Sequence, residues 1–136
     1  MSIEIPSDMR AVFDAILEAE IKLSYGSCEA YNDFLLNGDN VSAVSASSRC
    51  MKGFQAVSEA TVAVACNNNG ERCRETELIS FDATEKMAYF VFRTGAEIRD
   101  GKTREYTRFG WIVTLILQNC DGEWKIVHRQ NTRISS

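Results

Sequence analysis

Met9, Val12, Phe13, Ile16, Leu17 and Ile21 recur at steps of three and four, the spacing that lines one side of a helix with apolar side chains. Ser7 suits the N-cap, Asp8 adds a carboxylate to the positive end of the helix dipole, and Gly26 suits the stop. A short helix is predicted from Cys28 to about Leu36, capped by Ser27, with Ala30, Tyr31, Phe34 and Leu35 on its inner side. The alternating segment Val41–Ser47 predicts a strand. A third helix is expected from about Met51 to Cys66, carrying Phe54, Val57, Thr61, Val64 and Ala65 on one side until Asn67–Gly70 stops it.

After Gly70 the period changes from helical to two. Strands are predicted in RETELISF, KMAYFVFRTGAEI, KTREYTRFGWIVTLILQ and EWKIVHRQNTRI, the last three separated by Asp100-Gly101 and Asp121-Gly122. Asp-Gly between apolar alternations is a strong signal for a two-residue hairpin turn. Helices first and an antiparallel meander second make one α+β domain over residues 1–136.

Two-residue turns would fix the register. Arg99 would then oppose Lys102, Phe92 oppose Phe109, and Phe90 oppose Trp111; in the second hairpin Leu117 would oppose Ile126, Leu115 oppose His128, and Val113 oppose Gln130. One face would carry Phe90, Phe92, Trp111, Leu115, Ile126, His128 and Gln130 toward the helices. The other would carry Ile112, Thr114, Ile116 and Val127 at its centre, with Arg93 and Arg108 as direct cross-strand neighbours at its rim. An apolar centre with an arginine and tyrosine rim is the make-up of a protein interface, so a homodimer through this outer face is expected. Like charges opposite one another are unfavourable, so Arg93 and Arg108 should hold an anion between them, a partner carboxylate or a bound ligand.

Composition narrows the function classes. Apolar residues are 45% and charged residues 25%, enough for a core without staples, and the net charge of −4 argues against nucleic acid. Five cysteines are scattered with no C-x-x-C, and one histidine makes a Cys/His metal site a poor fit. No apolar run reaches the roughly 20 residues that span a bilayer, and MSIEIPSDMR lacks the pattern of a secretory signal. The expectation is a reduced, cytoplasmic protein with no cofactor or metal.

The segment TLILQNCDGEWKIVHRQN, Thr114–Asn131, resembles the terminal hairpin of the nuclear transport factor two-like superfamily, which includes the SnoaL-like polyketide cyclases and the ketosteroid isomerases. LLNGDNVSAVSAS and MKGFQAVSEA resemble the segments preceding that sheet, and the order of elements matches over about residues 7–134. The resemblance implies a cystatin-like cone, a curved sheet wrapped on a long helix, with a pocket between them and often a dimer through the outer sheet face. This chain departs from the pattern at three places. Ile112 stands where relatives often carry Arg, VSAVSAS has no carboxylate where isomerases place their base, and His128-Arg129-Gln130 replaces His-x-His. Isomerase chemistry is therefore not implied.

Two functions fit. In the first, a small hydrophobic ligand lies in the cone against Tyr31, Trp111, His128 and Gln130, with His128 as the proton carrier if the ligand is turned over. In the second, the chain is a non-catalytic oligomerisation module resembling the calmodulin-dependent kinase association domain. Asp33 is a candidate acid beside His128, although a carboxylate on the outer side of a helix is more often solvated.

Overall fold

A computed structural model of the chain describes residues 3–134. Three helices, α1 (Ser7–Ser24), α2 (Glu29–Phe34) and α3 (Phe54–Asn67), pack on a six-stranded sheet. The strands are β1 (Ser42–Val44), β2 (Cys50–Lys52), β3 (Asn68–Ala83), β4 (Met87–Asp100), β5 (Tyr106–Cys120) and β6 (Glu123–Arg133), in the order β2-β1-β6-β5-β4-β3. All pairings are antiparallel except β1 with β6. The α+β class and the helices-then-meander plan agree with the sequence reading.

The core lies where the stripe of α1 meets the concave face of β4, β5 and β6. Phe13 stacks on Phe90 at 4.9 Å between ring centroids and meets Phe92 edge-on at 5.2 Å. Phe90, Phe92, Val113, Leu115 and Leu117 are fully buried. Burying each such side chain contributes about 1.5–3 kcal/mol, so this contact carries much of the stability. Tyr31 of α2 and Leu35 just after it close one side of the core, as their inward positions predicted.

Several boundaries differ from expectation, each for a local reason. Ser7 is the first helical residue rather than the cap; Pro6 precedes it, and its carbonyl accepts from Arg10 N at 2.9 Å. Cys28 rather than Ser27 caps α2. Residues Cys50–Lys52 form β2 against β1, because Gly53 at φ 87° turns the chain before α3 can begin.

The two Asp-Gly pairs behave differently. Asp121 (φ 54°) and Gly122 (φ 93°) form the expected two-residue turn, with Cys120 opposite Glu123 and Leu117 opposite Ile126. At Asp100 the carboxylate instead accepts from the backbone of Lys102 at 2.7 Å and of Thr103 at 2.8 Å, which opens a loop over 101–105. Arg99 therefore opposes Tyr106, Phe92 opposes Val113, and Phe90 opposes Leu115. The slide is four residues, from Phe109 to Val113 opposite Phe92. An even slide leaves the faces intact but corrects the rim: Arg93 lies opposite Ile112, and Arg108 opposite Glu97.

A second correction inverts a face. Between the pairs Leu117–Ile126 and Ile116–His128, β6 carries one extra residue, Val127, as a bulge. Beyond it Leu115 opposes Arg129 and Val113 opposes Asn131, not His128 and Gln130. Arg129 and Asn131 enter the cone, while His128 and Gln130 join Ile116 and Thr114 outside.

Candidate functional site

The stripe of α1 stays apolar through Met9, Phe13 and Ile16, then continues as Glu20 and Ser24, both buried. A buried carboxylate needs a charge-assisted partner to be tolerated. The bulge at Val127 supplies one by turning Arg129 inward: its Nη1 donates to Glu20 Oε1 and, at 3.2 Å, to the Tyr31 hydroxyl, while Nε donates to Asn131 Oδ1 at 2.9 Å. Burial pushes the Arg129 pKa down, but the Glu20 carboxylate and the Tyr31 hydroxyl outweigh it, and the net shift is upward. Burial raises the Tyr31 pKa, partly opposed by the Arg129 guanidinium. The guanidinium stays charged, and the phenol stays neutral.

One turn along α1, Ser24 Oγ donates to Glu71 Oε2 at 2.8 Å. Arg74 Nε donates to Glu71 Oε1 at 2.7 Å, and Arg74 Nη1 to Thr94 Oγ1 at 3.0 Å. Thr76 Oγ1 lies 3.1 Å from Thr94 Oγ1. The left-handed Cys73 (φ 58°), at a bulge of β3, brings both ends of this pair to the same side. Two ion pairs thus lie on the concave side of the sheet, each carboxylate held by its own arginine. At the open rim Phe109 stacks on Trp111 at 5.4 Å, with the Arg133 guanidinium 5.1 Å from the Phe109 ring.

Of the four pocket residues expected from sequence, Tyr31 and Trp111 lie on the concave side. His128 and Gln130 do not. His128 Nδ1 is 2.8 Å from Ser42 Oγ on the outer face, so the register does not set the imidazole in the cone. Asp33 is exposed, its carbonyl accepting from Lys125 Nζ at 2.7 Å, and it makes no pair with His128. Glu20, Arg129, Glu71 and Arg74 were not among the sequence candidates. A signal for Glu20 was present: it continues the apolar stripe four residues after Ile16, which announces a buried carboxylate in need of a cation.

On the outer face Ile112, Thr114 and Ile116 are half-buried, Tyr89 is exposed, and Val127 is buried within the bulge. An open cavity of about 640 Å³ lies over Gly95 and Gly110 between Arg93, Arg108, Glu75 and Glu77. A Cβ on Gly95 would lie 3.2 Å from Arg108 Nη2, so glycine lets that guanidinium lie flat on the sheet. Glu77 is 4.0 Å from Arg93, whereas Arg108 Nη1 donates to the Cys73 carbonyl at 3.4 Å and Glu97, opposite it in the register, pairs with Arg72 at 3.2 Å. The five cysteines carry free thiols. Among the described residues no helix is long and apolar enough to cross a membrane, and no cluster of His, Cys, Asp and Glu has the make-up of a metal site.

No family model and no curated protein matches the sequence. Solved structures do match. A ketosteroid isomerase-like protein from Erwinia carotovora atroseptica superposes with a TM-score of 0.76 at 15% identity, over 93% of this chain and 94% of that one. A candidate calcium/calmodulin-dependent protein kinase type II association domain from Thiobacillus denitrificans gives 0.74 at 12% identity, over 99% of both chains. A protein of unknown function with a cystatin-like fold from Nostoc punctiforme gives 0.74 at 16%, over 98% of this chain and 97% of that one. At such identities the likeness concerns architecture alone: helices packed on a curved sheet, the cystatin-like fold.

Proposed function

We propose that this chain is a non-catalytic self-association module that pairs with a second copy through the outer face of its sheet. One observation carries the reading: the half-buried strip of Ile112, Thr114 and Ile116 on β5, flanked by exposed Tyr89 and the Val91 side chain of β4. Apolar and aromatic side chains at the centre with charged groups around them suit a partner's surface. The interior supports the same choice over catalysis. Glu20 and Glu71 are each engaged by an arginine, and His128, expected as the proton carrier, is bonded to Ser42 outside the cone. Acid–base chemistry needs a free group within reach of a bound substrate.

Sedimentation velocity of the wild type and of Ile116→Lys tests the reading. The wild type should sediment as a dimer and the variant as a monomer, since an unpaired charge at the centre of a desolvated interface is strongly unfavourable. A wild-type monomer at micromolar concentration would end it.

A second reading rests on the shelf of Arg133, Phe109 and Trp111 at the rim of the cone. Stacked rings under an exposed guanidinium suit a flat hydrophobic ligand carrying a carboxylate. Quenching of tryptophan fluorescence by aromatic carboxylates, lost in Trp111→Leu, would favour this reading.

A further inference from the structure

We infer that Asn37, in the loop between α2 and β1, is a site of spontaneous covalent modification: it deamidates through a succinimide shared with Gly38, while the fold holds back the same reaction at Asn69-Gly70. The reaction is independent of self-association.

The chain contains two Asn-Gly pairs, Asn37-Gly38 and Asn69-Gly70. In such a pair the glycine backbone nitrogen attacks the asparagine Cγ, and a five-membered ring closes. The new N–Cγ bond replaces the Cγ–Nδ2 bond, and the glycine N–H proton leaves with Nδ2 as ammonia. Water then opens the ring. Attack at Cγ gives aspartate, and attack at the main-chain carbonyl gives isoaspartate. Glycine favours the closure because it has no Cβ to obstruct it and wide backbone freedom. Two conditions remain for the fold to meet: the nitrogen must be free of other bonds, and the peptide must be able to rotate.

Both conditions hold at Asn37. The residue is exposed and lies outside every helix and strand. Among the described residues, neither the Asn37 side chain nor the Gly38 N–H makes a hydrogen bond. Around Gly38 nothing lies within 4 Å of where a Cβ would be, so the closing ring has space. At Asn69 exposure is similar, and it is the backbone that differs. Gly70 is buried in β3 at φ 109°, with the Tyr25 ring 3.3 Å from the place of its missing Cβ. The Tyr25 hydroxyl donates to the next carbonyl, that of Glu71, at 3.1 Å. Asn68 and Glu71 on either side are held opposite Asp100 and Ile98. Rotation there requires local opening of the strand, which a loop does not need.

The modification has a structural target. Leu36 N donates to the Ile126 carbonyl at 3.0 Å, and the Gly38 carbonyl accepts from Phe54 N, at the start of α3, also at 3.0 Å. Isoaspartate adds one methylene to the main chain between these two anchors. The lengthened loop cannot keep both as they are, so the seat of α3 loosens. Aspartate leaves the main-chain length unchanged and the anchors in place.

Peptide mapping by mass spectrometry during incubation at mildly alkaline pH tests the assignment, run on the native protein and on the protein unfolded in urea. Unfolded, the two pairs should convert at comparable rates. In the native protein Asn69 should slow many-fold and Asn37 little. Gly38→Ala, with open space for its methyl, should slow conversion at Asn37 several-fold while the circular dichroism stays that of the wild type. Hydrogen exchange at the Phe54 amide should be faster in the isoaspartate fraction than in Asn37→Asp. Protection of native Asn37 as strong as that of Asn69, or conversion of Asn69 first, would overturn the assignment. Equal exchange at Phe54 would overturn the loosening of α3.

Discussion

Arg129 and Glu20 meet inside the cone from positions 109 residues apart, one on the last strand and one on the first helix. Glu20 is nearly inaccessible and Arg129 largely so, with side-chain exposures of 6% and 19%. Removing one member leaves the other charge buried and uncompensated, which costs about 3–5 kcal/mol. Glu20→Ala should therefore lose that much stability in urea unfolding. Arg129→Met should behave similarly. The double variant Glu20→Leu/Arg129→Met should recover a large part of the loss, because an apolar pair of similar volume needs no desolvation of charge.

The Val127 bulge decides which side chains enter the cone. With Val127 deleted, Ile126, His128 and Arg129 would alternate without a bulge, and Arg129 would still point at Glu20. The deletion should fold, at a cost of about 1.5–3 kcal/mol for the lost burial of a valine. A double-mutant cycle in the deletion background should still show coupling between Glu20 and Arg129. Coupling that disappears there would refute the alternation.

Asp100 organises the 101–105 loop. Hydrogen bonds from the backbone of Thr103 and Lys102 lower its pKa. A lowered carboxylate pKa contributes stability above the unfolded value, about 3.9, and loses it as pH falls through the folded value. Wild type should thus lose its advantage over Asp100→Asn as pH drops below about 4. Thermal melts from pH 7 to pH 2 check this, and a difference that stays constant would argue against it.

Tyr31 gives the opposite sign. Its pKa is raised by burial, with the Arg129 charge opposing, so folding favours the neutral phenol. That preference is intact below the unfolded value near pH 10 and becomes a penalty as pH rises toward the folded value. Tyr31→Phe should be less stable than wild type at neutral pH, where it lacks the hydrogen bond to Arg129. The gap should shrink above about pH 10 in alkaline unfolding curves.

The helix stripe, the inward positions of Tyr31 and Leu35, the four long strands and the Asp121-Gly122 turn were legible because each follows from local periodicity or turn chemistry. Asp100-Gly101 misled because the same dipeptide serves a two-residue turn or, through the Asp side chain, an N–H-capped loop. Choosing between these depends on which cross-strand partners pack best, a tertiary matter. The bulge left no mark, since Ile126-Val127-His128 contains no glycine and reads as unbroken strand. That one residue moved His128 out of the candidate site and brought Arg129 in. The even slide at the first hairpin and the odd one at the second explain why the outer strip Ile112, Thr114 and Ile116 and the inward Trp111 kept their sides while His128 and Gln130 changed theirs.

Light scattering over a concentration series, run on the wild type, Ile116→Lys and Val62→Lys, tests the proposed self-association most directly. Val62 is exposed on α3, away from the sheet's outer face, and serves as the matched control. The expected result is twice the chain mass for the wild type and for Val62→Lys at micromolar concentration, and a single chain mass for Ile116→Lys. A monomeric wild type, or a dimer broken by Val62→Lys but not by Ile116→Lys, would contradict it.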